Sequence, residues 1–109
     1  MQAIWKIDIT HVGKGLSVRF PLHHEILCVQ TQNDSDFDTR ICLWVKNLVV
    51  EERQMVEREI SIYPTGDEYE EIKGEYIGTI QLHTRGLVFH IFAGDPELEL
   101  NGEYIYRDE

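Results

Sequence analysis

Five histidines and two cysteines are the first residues to test for chemistry. His23, His24 and Glu25 are three metal-ligand types in a row, but neighbours on an extended chain point to opposite faces, so all three cannot converge on one ion. His83 and His90 flank a glycine-containing turn. If residues 83 and 87 pair across it, His90 lies opposite Ile80, which is poor geometry for a shared zinc. His90, between Val88 and Phe92, reads as a half-buried structural residue. Cys28 and Cys42 stand in apolar stretches without C-x-x-C spacing, where free cysteine behaves as a small hydrophobe. Asp34, Asp36 and Asp38 open like a calcium loop, yet Thr39 stands where that loop needs glycine and Val45 where it needs glutamate. Ser17, Ser35 and Ser61 are the only serines, and none lies in a G-x-S-x-G nucleophile turn. Glycine-rich phosphate loops are also missing. No catalytic residue, metal or cofactor is assigned, and the expectation is a protein that is not an enzyme.

The arginines offer a binding chemistry instead. Arg19, Arg40, Arg58 and Arg85 stand on segments that also carry Trp44, Tyr63, Tyr76 and Phe92. A guanidinium beside an aromatic ring can hold a planar anion through bidentate bonds and stacking. Arg19, Arg40, Arg58, Arg85, Trp44, Tyr63 and Tyr76 are therefore the candidate ligand-binding residues. The competing reading pairs each arginine with one of the 20 carboxylates.

The charge balance narrows the class of partner. The net charge is −10. Residues 1–50 carry five acids and five bases, and residues 51–109 carry fifteen acids and five bases, so the second half holds all of the excess. Neutralising DNA phosphates takes clustered Lys and Arg, so neither a nucleic acid nor an anionic membrane is an expected partner. The acidic half is read first as a solubilising surface, and alternatively as a surface that imitates DNA towards a basic protein. The apolar runs are too short for a membrane helix of roughly 20 residues. Lys6 and Asp8 interrupt any signal-peptide layout. Two cysteines make no disulfide framework, and a reducing cytosol is expected.

Period-2 alternation positions these residues. Trp5, Ile7 and Ile9 share one face of a first strand. After the turn at residues 11–15, Leu16, Val18 and Phe20 share a face of a second strand that Pro21 ends. Glu25 to Gln32 is a third strand, with Ile26 and Cys28 opposite Leu27 and Val29. Residues 33–38 read as a polar loop. Ile41 to Val45 is apolar throughout, as in a central strand. Residues 47–59 mix helix formers with strand alternation, and are read as a loop at 47–54 and a strand at 55–63. Asp67 to Lys73 is an acidic connection with room for one helical turn. Tyr76–Leu82 and Leu87–Phe92 form a hairpin in which Gly86 is free to take positive φ. Asn101-Gly102 marks a further hairpin at 98–106, so residues 94–109 form a C-terminal extension of one β domain spanning 1–109. The fold class is all-β, a small single-domain antiparallel sandwich or barrel of about seven to nine strands.

The ordered blocks Ile4-Trp5-Lys6, Phe20-Pro21, Glu25 to Asn33, Cys42-Leu43-Trp44, Ile62 to Gly66, Gly74 to Leu82 and Leu87 to Phe92 together resemble a family of small uncharacterised proteins of bacteriophages and prophages, a domain of unknown function. The resemblance spans about residues 3 to 93. It departs at the longer, acidic segment 33–41 and in continuing past Phe92. It implies a phage setting, the cytosol of an infected bacterium, and no catalytic residues to carry across. The expected function is a non-enzymatic binding protein that blunts a host defence, by sequestering a nucleotide-like signal or by blocking a host protein. The alternatives are an acidic DNA mimic and a minor virion protein. Exposed strand edges suggest a homo-oligomer.

Overall fold

A computed structural model describes residues 1–35, 38–82 and 86–99. Eight strands follow one another: β1 (Ala3–Asp8), β2 (Lys14–Pro21), β3 (His24–Ser35), β4 (Asp38–Asn47), β5 (Met55–Pro64), β6 (Glu75–Leu82), β7 (Leu87–Ala93) and β8 (Glu97–Leu98). They form two antiparallel sheets, one of three strands in the order β1-β4-β3 and one of five in the order β2-β5-β7-β6, with β8 also on β5. The fold is all-β, as the alternation requires, and no helix long and apolar enough to cross a membrane occurs among the described residues.

The two sheets enclose the core. Ile9, Phe20, Leu43, Val45, Ile60 and Ile91 are completely buried, and each such side chain contributes about 1.5–3 kcal/mol by leaving water. β4 is the middle strand of its sheet, and Cys42 on its other face is also buried. β6 lies against β3 with no room to spare, because a Cβ on Gly78 would come within 2.7 Å of Val29 Cγ1. β8 resumes the line of β7 after a short irregularity at Gly94, whose N–H donates to Glu59 O at 2.8 Å.

Several expectations need correction. Ile26 pairs with Val45 and Val29 with Leu43, because a bulge between Ile26 and Cys28 shifts the register. The extra residue puts Val29 on the core face with Ile26, leaving Leu27 exposed. A second shift, between Lys14 and Leu16 at positive-φ Gly15, comes before an unbroken pairing from Leu16 to Pro21, so Leu16, Val18 and Phe20 share a face as expected, with Leu16 53% exposed on the sheet's edge strand. Asn33, Asp34, Ser35 and Asp38 belong to the paired strands β3 and β4 rather than to a loop. Residues 67–73 make no helical turn. The 76–92 hairpin is present with Gly86 at φ 64°, but Leu82 pairs with Leu87, so His90 faces Thr79 and not Ile80. The strand at 55–63 and the loop before it stand as expected. Residues 100–109, including Asn101-Gly102 and the rest of the 98–106 hairpin, lie outside the described residues, as do His83 and Arg85.

Candidate functional site

A cavity of about 680 Å³ lies beside β1 and β2, lined by Trp5, Arg19, Asn47, Val50, Glu52, Arg53 and Met55. Strand alternation turns Trp5 to the same face as its partner Val45, and its position on the sheet edge leaves it half-buried. Asn47, the last residue of β4, is only 2% exposed. Its Oδ1 accepts the Val49 N–H at 3.2 Å and bends the chain into the loop. That loop is pinned on both sides: Leu48 N–H donates to His23 O at 2.9 Å and Val50 N–H to Met1 O at 2.9 Å. Glu52 Oε2 accepts the Gln54 N–H at 2.9 Å. Arg53 is thus presented at the rim by an anchored segment.

The cations of the chain differ in how they are committed. Arg19 donates from Nε and one amino group to the two oxygens of Glu99, both at 2.8 Å. Arg40 pairs with Asp8 at 2.9 Å, Arg58 with Glu75 at 3.2 Å, Lys46 with Glu25 at 3.7 Å and Lys73 with Glu71 at 3.9 Å. Lys6 donates to Gln32 at 2.9 Å. Arg53 alone among the described arginines has neither an ion pair nor a hydrogen bond. An indole face, an uncommitted guanidinium and an amide around one cavity suit a flat ligand that carries an anionic group.

Arg58 plays a different part. It projects from β5 on the core side, between Val56 and Ile60, and its side chain is 11% exposed. Its guanidinium sits 5.9 Å over the Phe20 ring, donates from Nε to Gly94 O at 2.7 Å and meets His24 Nε2 at 3.1 Å. His24 Nδ1 lies 2.7 Å from Pro21 O. A carbonyl can only accept, so the neutral imidazole with its proton on Nδ1 fits both contacts. Burial, and then the Arg58 charge, hold the His24 pKa below 6.5. The cleft beside this cluster, about 400 Å³, also takes in Glu25, Glu75 and Tyr76, but its arginine is already consumed in holding β3, β5, β6 and the Gly94 link together.

The solvent face of the second sheet is aromatic. Tyr69 meets Tyr63 edge-on at 4.8 Å, Tyr63 meets Phe92 at 5.6 Å, and Phe92 meets Tyr76 at 5.5 Å. His90 sits among them, with Nε2 2.6 Å from Thr65 Oγ1 and Nδ1 2.9 Å from Thr79 Oγ1, and Tyr76 Oη lies 2.6 Å from the same Thr79 oxygen. These groups border a hollow of about 250 Å³. The His90 ring is half-buried, as expected.

The predicted set does not gather into one pocket. Arg19 lines the end cavity, Arg58 and Tyr76 the cleft, and Tyr63 with Tyr76 the aromatic face. Arg40 pairs with Asp8, away from all three, and Trp44 stands on the outer face of the first sheet opposite Cys28 and Lys6. Trp5, Asn47 and Arg53 were not singled out by sequence reasoning. Trp5 reads as an ordinary inward strand residue and Arg53 as a helix former, and no spacing rule links segments 42 residues or more apart, as positions 5 and 47 are. No group of three or more His, Cys, Asp or Glu among the described residues could hold a metal ion.

A family model described as a domain of unknown function (DUF7352) matches residues 1–101, a span that takes in β8. None of the curated proteins and none of the solved structures matches the chain.

Proposed function

The chain belongs to the family described as a domain of unknown function, DUF7352, and from that premise we propose that it is a non-enzymatic binding protein whose end cavity takes a small, flat anion of the nucleotide type. The observation that carries this reading is Arg53. In a chain with 20 acids against 10 bases, a guanidinium that escapes every described carboxylate and stands at a cavity with Trp5 and Asn47 is a ready anion contact. Trp5 offers a stacking face. The pinned loop holds Arg53 in place before a ligand arrives, which reduces the ordering cost of binding. In the bacteriophage setting implied by the sequence resemblance, capture of such a nucleotide signal in the host cytosol blunts a defence that depends on it.

Isothermal titration of the full chain with a panel of cyclic and linear nucleotides tests the proposal. The expected result is saturable binding by at least one of them, weakened by about a hundredfold in Arg53→Glu, which removes an attraction and installs a repulsion, and unchanged in Arg40→Gln. Absence of binding across the panel, or an Arg53→Glu variant that binds like the native chain, overturns it.

A further inference from the structure

An exposed sheet face ordinarily carries polar side chains opposite a buried apolar face. The solvent side of β5, β7 and β6 departs from this with Tyr63, Phe92 and Tyr76 in cross-strand contact, the last 56% exposed. Tyr69 from the following connection caps the row. Asp67 lines the hollow beside these rings and Glu68 and Glu70 follow it in the same connection; all three are exposed and make no ion pair among the described residues, and Lys73 is taken up by Glu71.

We infer that this face is a docking surface for a basic segment of a partner protein, with an Arg or Lys head seated on the Tyr76 and Phe92 rings and neighbouring cations meeting Asp67, Glu68 and Glu70. Three observations support that occupant over others. The hollow of about 250 Å³ suits one cationic head with its alkyl stem and is smaller than the usual space for a drug-sized molecule, about 300–1,000 Å³. The ring faces are negative and attract a cation at roughly 6 Å, and the acids at the rim add to that field, whereas a second copy of this chain, at −10, is repelled. The rings are fixed in advance, because Tyr76 is held by Thr79 and the imidazole between them by Thr79 and Thr65, which spares the ordering cost of binding. Aromatic centres with polar rims are where contact energy concentrates in protein interfaces. The surface uses none of Trp5, Asn47 or Arg53, so it stands whether or not the end cavity binds a nucleotide.

The probe is a synthetic peptide of alternating arginine and glycine, about eight residues long, titrated into the full chain beside a glutamate–glycine counterpart. The arginine peptide is expected to bind and the glutamate peptide not. Tyr76→Ala weakens binding at least about tenfold, as for an aromatic hot spot, and Glu68→Lys with Glu70→Lys weakens it by a similar factor. Tyr76→Phe, which keeps the ring, and Arg53→Glu, which lies at the other site, stay within about threefold. Phe92→Leu supplies a second test of the ring requirement if Tyr76→Ala loses its circular dichroism signature. Arginine-peptide binding that is indifferent to both ring removals would mean diffuse attraction to an acidic chain and overturns the inference. Equal binding of the glutamate peptide, or no binding of either, does the same.

Discussion

The end cavity and the aromatic face are built from the same kind of side chain and differ in everything around it. In the cavity the ring is a single half-buried Trp5 on a strand edge, and of its companions Asn47 ends β4 while Arg53 comes from the following loop, pinned to Met1 and to the β2–β3 link. On the aromatic face three rings touch edge to face across paired strands and a fourth, Tyr69, joins them from the connection, and their companions are acids. Both regions draw on the acid-rich part of the chain, so the charge division alone does not separate them. Up to residue 50 acids and bases balance, while beyond it carboxylates outnumber bases fifteen to five. Arg58 is consumed by Glu75. Arg53 escapes because its immediate neighbour Glu52 turns back to cap the Gln54 N–H. Ring chemistry alone therefore does not define a site; the charge left over beside the ring does.

The comparison can be broken by crossed substitutions. Arg53→Glu should cost nucleotide affinity about a hundredfold and leave arginine-peptide affinity unchanged, while Tyr76→Ala does the reverse. Because the sites share no partner, the double variant should show both losses, additive within about 0.5 kcal/mol. Titration calorimetry on the four proteins reads this directly, and a coupling above that size would join the two regions.

Stability separates the committed arginine from the free one. Arg58→Ala leaves Gly94 O and the Pro21-bound His24 without their buried donor, and should destabilise by about 2–3 kcal/mol. Arg53→Ala should stay within about 0.5 kcal/mol, as for an exposed site. Chemical denaturation compares them. Salt sharpens the contrast in a further way. Raising ionic strength from about 50 to 300 mM should weaken peptide binding at the acidic face roughly tenfold. Nucleotide binding should change less than about threefold, since local attraction and overall repulsion are screened together.

Much of the fold was legible. Alternation located the strands of both sheets, including β5 after an ambiguous stretch, because Val56, Ile60 and Ile62 share a buried face. What alternation cannot show is a bulge: one extra residue at Leu27 moved Val29 across the sheet. The pairing of the 76–92 hairpin was one residue off for a related reason, since turn length fixes register. The site was less legible. Tyr63 and Tyr76 were singled out as rings and do meet on one face, but through Phe92 and without an arginine between them. Which cation stays uncommitted depends on contacts between distant segments, and composition near Arg53 carries no sign of it.

Removing Thr79's hydroxyl should have a smaller effect. Thr79→Val takes away the contact shared by Tyr76 and His90 and should cost about 1 kcal/mol of stability, with a modest loss at the aromatic face and none at the cavity. Smallest is a pH effect at the Arg58 cluster. His24 titrates below its ordinary 6.5 in the folded chain, so the unfolded chain takes up the proton first. Stability should therefore fall as pH drops below about 6.5 and level off beneath the folded value. Asp8, held at about 2 by Thr10 and then Arg40, contributes stability above its ordinary 3.8 that is lost only as pH falls towards 2. The two windows stay apart. In His24→Asn the upper window should flatten in denaturation curves taken between about pH 5 and 7.

β5 is bonded on one flank by β2 and on the other by β7 and then β8. It begins at Met55, in the wall of the cavity, and carries Tyr63 near its far end. Eight residues of extended chain measure roughly 26 Å, so a doubly braced rod sets the spacing of the two surfaces like a ruler. A bivalent molecule reaching both would need a tether of about that span, and a shorter one would gain nothing from the second contact.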